Sequence, residues 1–389
     1  TAINHRLMKH QIIFLLLLAI FSGCYTTTAQ LAYDFKKIDT YAAQTPKNLH
    51  TDLEQLSTYL AAGGQNELEQ VRAIYQWILK NIEYDRKAYK NGNKRLNRSN
   101  EDVLTRGKAV CWGYANLLKA MTATVGIESS VISGYARTRL TDPLNFVESN
   151  HAWNAVRIAG KWYLLDVTWD SGLQSGADDF RKTYQRTYFL TEPEYFILNH
   201  VPANPIWQLL DCPISLAEAE SASLLLVENH QQACDSLQYS IDDFIAMLPD
   251  EKRLQEAIAT YDFNPSVENQ RHLGNAMIDY QNYLDKYLVQ LQEKEQLDSV
   301  LLLQQSMITY CEQADRLTDL FDHQKENCAY NYLNYAIALS RVEQPISSQN
   351  ATLILDYIEQ TETELATLKS NFFIQQALAR CKQLRAQLE

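Results

Sequence analysis

Apolar residues recur along this chain with more than one period, and the pattern changes character near Pro213. From Asn66 onward, Val71, Ile74, Ile78 and Ile82 keep helical spacing, and Asn66 with Glu69 three residues later is a capping-box signature for the start of that helix. A second stripe begins at Cys111 and runs through Tyr114, Leu117, Leu118, Met121 and Val125, with Gly126 as its stop signal. Strand-like runs follow at 130–133, 151–158 and 161–168, and Thr191 with Glu194 and Pro193 marks another helix start. Beyond Pro213 the spacing is almost wholly helical. Leu284, Tyr287, Leu288 and Leu291 form one stripe, Tyr332, Tyr335, Ala336 and Leu339 another, and breaks fall near Pro249, Pro265 and Pro345. This predicts antiparallel hairpins in a bundle or short helical solenoid, without a convincing repeat of about 34 residues. Tyr280, Tyr283 and Tyr287 read as packing residues ahead of a binding groove.

Glycine and tryptophan sharpen the division. All 6 tryptophans lie at or before Trp207, and after Gly176 the only glycine is Gly274. A turn-rich mixed domain over 30–211 and a helical domain over 212–389 are therefore expected, meeting near Asp211-Cys212-Pro213. Ahead of them, Met8-Lys9-His10-Gln11 precedes an apolar run from Ile12 to Phe21, too short to span a bilayer but suited to a secretory signal over 1–29. Met8 is the expected start. Thr27-Thr28-Ala29 fits a cleavage site, while Phe21-Ser22-Gly23-Cys24 resembles a lipoprotein box, which would make Cys24 a lipid anchor and the sole membrane attachment. An exported protein is expected: periplasmic, cell-surface or secreted.

The formal net charge of −12 has no basic block to offset it, which argues against nucleic acid as a partner. The 7 cysteines, at 24, 111, 212, 234, 311, 328 and 381, form no CxxC pair and no metal-ligand spacing. In an exported protein some can be bridged, but the spacing fixes no pairing. No calcium loop of the D-x-D-x-D-G type is present, and neither metal nor cofactor is expected.

Candidate chemistry centres on Cys111. It stands where its helix begins, just after Lys108-Ala109-Val110, where unpaired N–H groups and the helix dipole favour a thiolate. The Cys111 N–H is also placed to hold an oxyanion. A single cysteine on an apolar face is more often a small filler. His151 changes that balance. If Ala159-Gly160 is a two-residue hairpin turn, Ile158 pairs with Lys161, Trp153 faces Asp166 and His151 faces Thr168. Asp166 then lies diagonal to His151 on the same face, about 7–8 Å away between backbones, and a slip of one residue would separate them. Cys111 is thus read as nucleophile, His151 as its base and Asp166 as the group that orients the base. Taken singly, His151 could be a hairpin histidine, and Asp166 could cap a turn or pair with Arg157.

Three segments, Ala109-Val-Cys-Trp-Gly-Tyr-Ala115, Asn150-His-Ala-Trp-Asn154 and Trp162-Tyr-Leu-Leu-Asp-Val-Thr-Trp169, resemble the core motifs of the transglutaminase-like superfamily. Tyr188-Phe-Leu-Thr-Glu-Pro193 and Trp207-Gln-Leu-Leu210 are closer to the branch containing kyphoscoliosis peptidase and related bacterial proteins. The resemblance covers roughly residues 65–210. It implies a papain-like α+β fold, a Cys helix packed on an antiparallel sheet bearing His and Asp, and acyl transfer on peptide or glutamine-type amides. Trp112 departs from the pattern, since a polar residue often follows the cysteine there, and its indole would narrow the acyl site. Tyr84 is a weak candidate for the second oxyanion donor. Trp153 and Trp169 are candidate cleft walls or core residues.

The expected function is an exported cysteine enzyme that hydrolyses peptide or glutamine-type amide bonds of a protein or peptide substrate through a thioester on Cys111, with water as acceptor. A cross-linking acyltransferase is the near variant. The reading from another class is a cell-envelope interaction or scaffold protein, its helical half binding a protein partner and its thiol vestigial or regulatory.

Overall fold

The computed structural model describes residues 33–91, 99–171, 187–221, 223–224, 227, 240–293, 297–342 and 345–388. The expected signal segment 1–29, with Cys24, lies outside the described residues, as does Cys234. The chain separates into two compact units, residues 1–131 with 153–173 and residues 132–152 with 174–389.

The first unit is built on α1 (Lys36–Ala43), α2 (Leu53–Ala62), α3 (Glu67–Asn81), α4 (Arg86–Lys90), α5 (Asn100–Arg106) and α6 (Cys111–Thr124). The stripe expected on α3 is its buried face, with Val71, Ile74 and Ile78 at 0% exposure and Ile82 capping the end. It packs with α2 on α6, whose Tyr114, Leu117, Leu118 and Met121 are likewise sealed. Each such aliphatic side chain contributes about 1.5–3 kcal/mol. Asn66 caps α3 through the Glu69 N–H, 3.0 Å. Glu69 departs from a reciprocal box: its carboxylate accepts from the Gln65 N–H and the Tyr33 hydroxyl, both at 2.7 Å.

A short parallel pair, β1 (Glu83–Tyr84) on β2 (Lys108–Ala109), precedes the main sheet. That sheet contains β3 (Ser129–Ala136), β4 (His151–Ile158), β5 (Lys161–Leu165) and β6 (His200–Pro202), in the order β5-β4-β3-β6. The β4–β5 hairpin has the expected register, from Ile158 opposite Lys161 to Asn154 opposite Leu165. Its two-residue turn places Ala159 at φ 49 and Gly160 at φ 80, the paired positive values that a tight hairpin needs. Ala159 tolerates this because its N–H is held by the Glu67 carboxylate at 2.6 Å.

The strand expected over 161–168 ends at Leu165. Asp166 caps a four-residue helix, α7 (Val167–Asp170), because its carboxylate captures the N–H groups of Thr168 and Trp169. Thr168 is therefore helical, and its expected pairing with His151 does not form.

In the second unit, α8 (Pro193–Phe196) starts with Glu192 rather than Thr191 at the cap position, since the Thr191 hydroxyl donates back to the Thr187 carbonyl at 2.7 Å. Then come α9 (Leu216–Glu220), α10 (Ile241–Ala246), α11 (Pro249–Phe263), α12 (Val267–Glu293), α13 (Leu297–Leu317), α14 (Asp322–Leu339), α15 (Ser348–Ala366) and α16 (Phe372–Ala386). The proline breaks fall as expected: Pro249 opens α11, Pro265 separates α11 from α12, and Pro345 lies between α14 and α15. Consecutive helices from α11 to α16 pack on one another. Tyr332, Tyr335, Ala336 and Leu339 are buried together. Leu288 is buried with Leu284 and Leu291 against it, whereas Tyr287 stays 41% exposed and shares a 2.7 Å hydroxyl contact with Tyr283. Tyr280 packs edge-on against Tyr310.

Asn264 and Asn269 both donate to the Tyr135 hydroxyl, at 2.7 and 3.1 Å, which ties the α11–α12 turn to β3 residues of this unit. Gln208 and Ile214 exchange two hydrogen bonds across the Asp211-Cys212-Pro213 segment. A disulfide joins Cys311 of α13 to Cys328 of α14, while Cys111, Cys212 and Cys381 are buried thiols. Among the described residues no helix is long and apolar enough to cross a membrane.

Candidate active site

Cys111 is the first residue of α6 and 2% exposed. Val110 occupies the cap position and makes no side-chain cap hydrogen bond. Such a start carries the positive end of the helix dipole and unpaired donors, which favour charge on a sulfur or an oxyanion. Gly113 permits this placement. A Cβ there would meet the Ala109 Cβ at 2.7 Å, so only glycine lets the first turn lie against β2.

Two contacts lock α6 in place. The Tyr114 hydroxyl donates to the Ile82 carbonyl at 2.5 Å. The Asn154 amide, 1% exposed, donates to the Ala115 carbonyl at 2.9 Å and to the Ser130 carbonyl at 3.3 Å. The same side chain thus fastens β4 to the helix that begins with Cys111. Sequence reasoning did not single out Asn154, although it closes the Asn150–Asn154 motif. An asparagine set among the apolar positions Ala152, Trp153, Ala155 and Val156 was the available signal.

Tyr84 faces Ala109 across β1–β2, with its ring 6.4 Å from that of Tyr114. Burial, then the neighbouring Cys111, Tyr89, Asp166 and Tyr114, hold its hydroxyl well above the usual tyrosine range, so it remains a neutral donor. Asp166, 1% exposed, is oriented by its cap: Oδ1 accepts from the Thr168 N–H at 2.8 Å and the Trp169 N–H at 3.2 Å. Its carbonyl accepts from the Tyr75 hydroxyl at 3.1 Å, which also donates to Asp170 at 2.6 Å. The turn-capping role considered for Asp166 is therefore real. Arg157, its alternative partner, pairs with Glu128 at 3.3 Å.

His151 is the first residue of β4 and 7% exposed. Its ring lies 5.5 Å from that of His200, which is fully buried against Tyr188 and Phe196 and meets the Asn199 side chain at 2.6 Å. Both imidazoles are of the type that can ligate a metal. Trp112 is half-buried on the first turn of α6, while Trp153 and Trp169, at 1% and 4% exposure, belong to the interior.

The helix that begins at Cys111, the antiparallel sheet and the helical C-terminal region are those of a transglutaminase-like α+β core. Residues 54–167 match the family model of the Transglutaminase-like superfamily. Kyphoscoliosis peptidase of Homo sapiens is 37% identical over 190 residues, covering 48% of this chain and 28% of that protein. Hillarin of Drosophila melanogaster is 28% identical over 212 residues, covering 48% of this chain and 24% of its own length. The chain thus spans less than a third of these relatives. A crystal structure of a TGase aligns over 39% of this chain and 37% of that one, with 19% identity and a TM-score of 0.25.

Proposed function

We propose that this protein is an exported, cysteine-dependent enzyme that cleaves peptide or glutamine-type amides through a thioester on Cys111. Residues 30–211 form its catalytic domain, and 212–389 a helical domain that engages a protein partner. The observation that carries the reading is the Asn154–Ala115 hydrogen bond, which joins the helix of the nucleophile to the strand of the base. Identity with a protein named as a peptidase supports the class of reaction. The buried disulfide-bonded pair supports an oxidising compartment.

In the proposed cycle His151 takes the thiol proton, and the Cys111 sulfur attacks the amide carbon. The Cys111 N–H and the Tyr84 hydroxyl hold the oxyanion. Collapse expels the amine, which receives the proton from His151. Water then gives a proton to His151, adds to the thioester and releases the acid and the thiol. Asp166 fixes the imidazole tautomer and steadies its charged form.

The test is alkylation of the thiol across pH in wild type and His151→Ala. Cys111 should react well below pH 8, with a marked slowing in the variant. Equal rates in the two proteins overturn the assignment of His151. One observation favours a second reading: Cys111 is only 2% exposed, as a vestigial thiol in an interaction protein would be. Equal slow labelling in both proteins is the result that reading requires.

A further inference from the structure

His200 stands beside the candidate base, in the same unit of the chain. Its backbone pairs with Ala136 where β6 meets β3. The Asn150 side chain, next to His151 in sequence, exchanges two hydrogen bonds with the backbone of the same Ala136, at 2.8 and 2.9 Å. One residue of β3 thus aligns the start of β4 with His200. The chain leading into β6 is fastened as well. The Arg137 N–H donates to the Asn199 carbonyl at 3.1 Å, and its guanidinium donates to the Leu198 carbonyl at 2.8 Å.

The His200 ring, at 0% exposure, lies 4.3 Å from the ring of Phe196 and 5.2 Å from that of Tyr188, centroid to centroid. Asn199 decides where its proton sits. The Asn199 amide nitrogen donates to the Tyr188 hydroxyl at 2.7 Å, which leaves the amide oxygen 2.6 Å from His200 Nδ1. That oxygen can only accept, so Nδ1 carries the proton. The ring can neither turn nor change tautomer without breaking this chain.

An imidazole has a broad second side-chain torsion, so its surroundings, more than its own rotamer, fix the plane of the ring. The His151 and His200 rings lie 5.5 Å apart at an interplanar angle of 53°, in the range of packed rings. We propose that His200 is a positioning residue for His151: the Tyr188–Asn199–His200 chain forms a fixed wall against which the base keeps its working orientation. The inference rests on the reading of His151 as the base of Cys111. A misplacement of about 1 Å at a reacting group can cost about 10²-fold in rate, so the rigidity of this wall shows in reactivity.

The test is alkylation of the full chain by iodoacetamide from about pH 5 to about pH 10, read at Cys111 by peptide mass spectrometry. Long-range nitrogen–proton NMR spectra of the wild-type imidazoles should show His200 protonated at Nδ1. His200→Ala should slow labelling about tenfold near pH 7 and move the profile toward that of a free thiol. Its rate on the alkaline plateau, where the thiolate forms without a base, should stay within about twofold of wild type. Asn199→Leu provides a second variant should His200→Ala fail to fold, with about threefold slowing near pH 7 and the same plateau. A wild-type profile in a folded variant, a plateau lowered in the same proportion as the neutral rate, or His200 protonated at Nε2 overturns the proposal. His151→Ala separates this inference from the reading beneath it. Slow labelling in His151→Ala with a wild-type profile in His200→Ala removes His200 alone, whereas wild-type labelling in His151→Ala removes the base and His200 with it.

Discussion

The side chain of Asn154 reaches from β4 to the carbonyl of Ala115, one turn into the helix that starts at Cys111, at 2.9 Å. Asn154 stands three residues along the same strand from His151. One buried amide thus ties two distant stretches of sequence. Asn154→Leu keeps the volume but leaves the Ala115 and Ser130 carbonyls without this donor. The expected cost is about 1–3 kcal/mol, measured as a lower urea midpoint. Alkylation of Cys111 at neutral pH should slow as well. Unchanged labelling would detach Asn154 from the function of the thiol.

Asp166 has two separable duties. Asparagine can still accept the Thr168 and Trp169 N–H bonds, so Asp166→Asn should remain folded, whereas Asp166→Ala should lose about 1 kcal/mol with the cap. Only a carboxylate steadies a charged imidazole. Turnover of a peptide amide should therefore fall by about 10²–10⁴ in Asp166→Asn with thermal stability preserved. Wild-type turnover in this variant would remove the aspartate from the mechanism.

Tyr84 is held neutral beside Cys111 by burial and by its neighbours. If its hydroxyl meets the oxyanion, Tyr84→Phe should lower kcat by about 10²–10³ while KM stays near wild type. A rise in KM alone would make it a substrate-binding residue.

Glu256 gives a stability prediction. Burial pushes its carboxyl up to about 7 from an ordinary 4.5, partly opposed by the 2.7 Å hydrogen bond from Asn204. Between those values the folded protein keeps a proton that the unfolded chain releases, so stability should fall as pH rises from about 4.5 through about 7. In Glu256→Gln, which can still accept from Asn204, that slope in Tm against pH should vanish. Parallel pH profiles for the two proteins would locate the titration elsewhere.

Local chemistry made much of the architecture legible. The stripe Val71-Ile74-Ile78 could be buried only on a helix, and the Ala159-Gly160 turn fixed the β4–β5 register without reference to any other contact. Alternation did not reveal where β5 stops, because Asp166 ends the strand through its own side chain. The stripe on α12 likewise misplaced Tyr287, since helical spacing defines a face but not how wide a face its neighbours cover.

By itself, then, the sequence determined the buried stripes of α3 and α6, the helical character beyond Pro213, the hairpin register and the chemical types at 111, 151 and 166, because these follow from short-range periodicity and turn geometry. Tertiary structure alone decided that Gly113 lets the Cys helix lie against β2, that Asn154 fastens it to β4 and that Cys311 pairs with Cys328. Those outcomes depend on which buried polar groups meet across elements far apart in the chain, and no local pattern encodes such meetings.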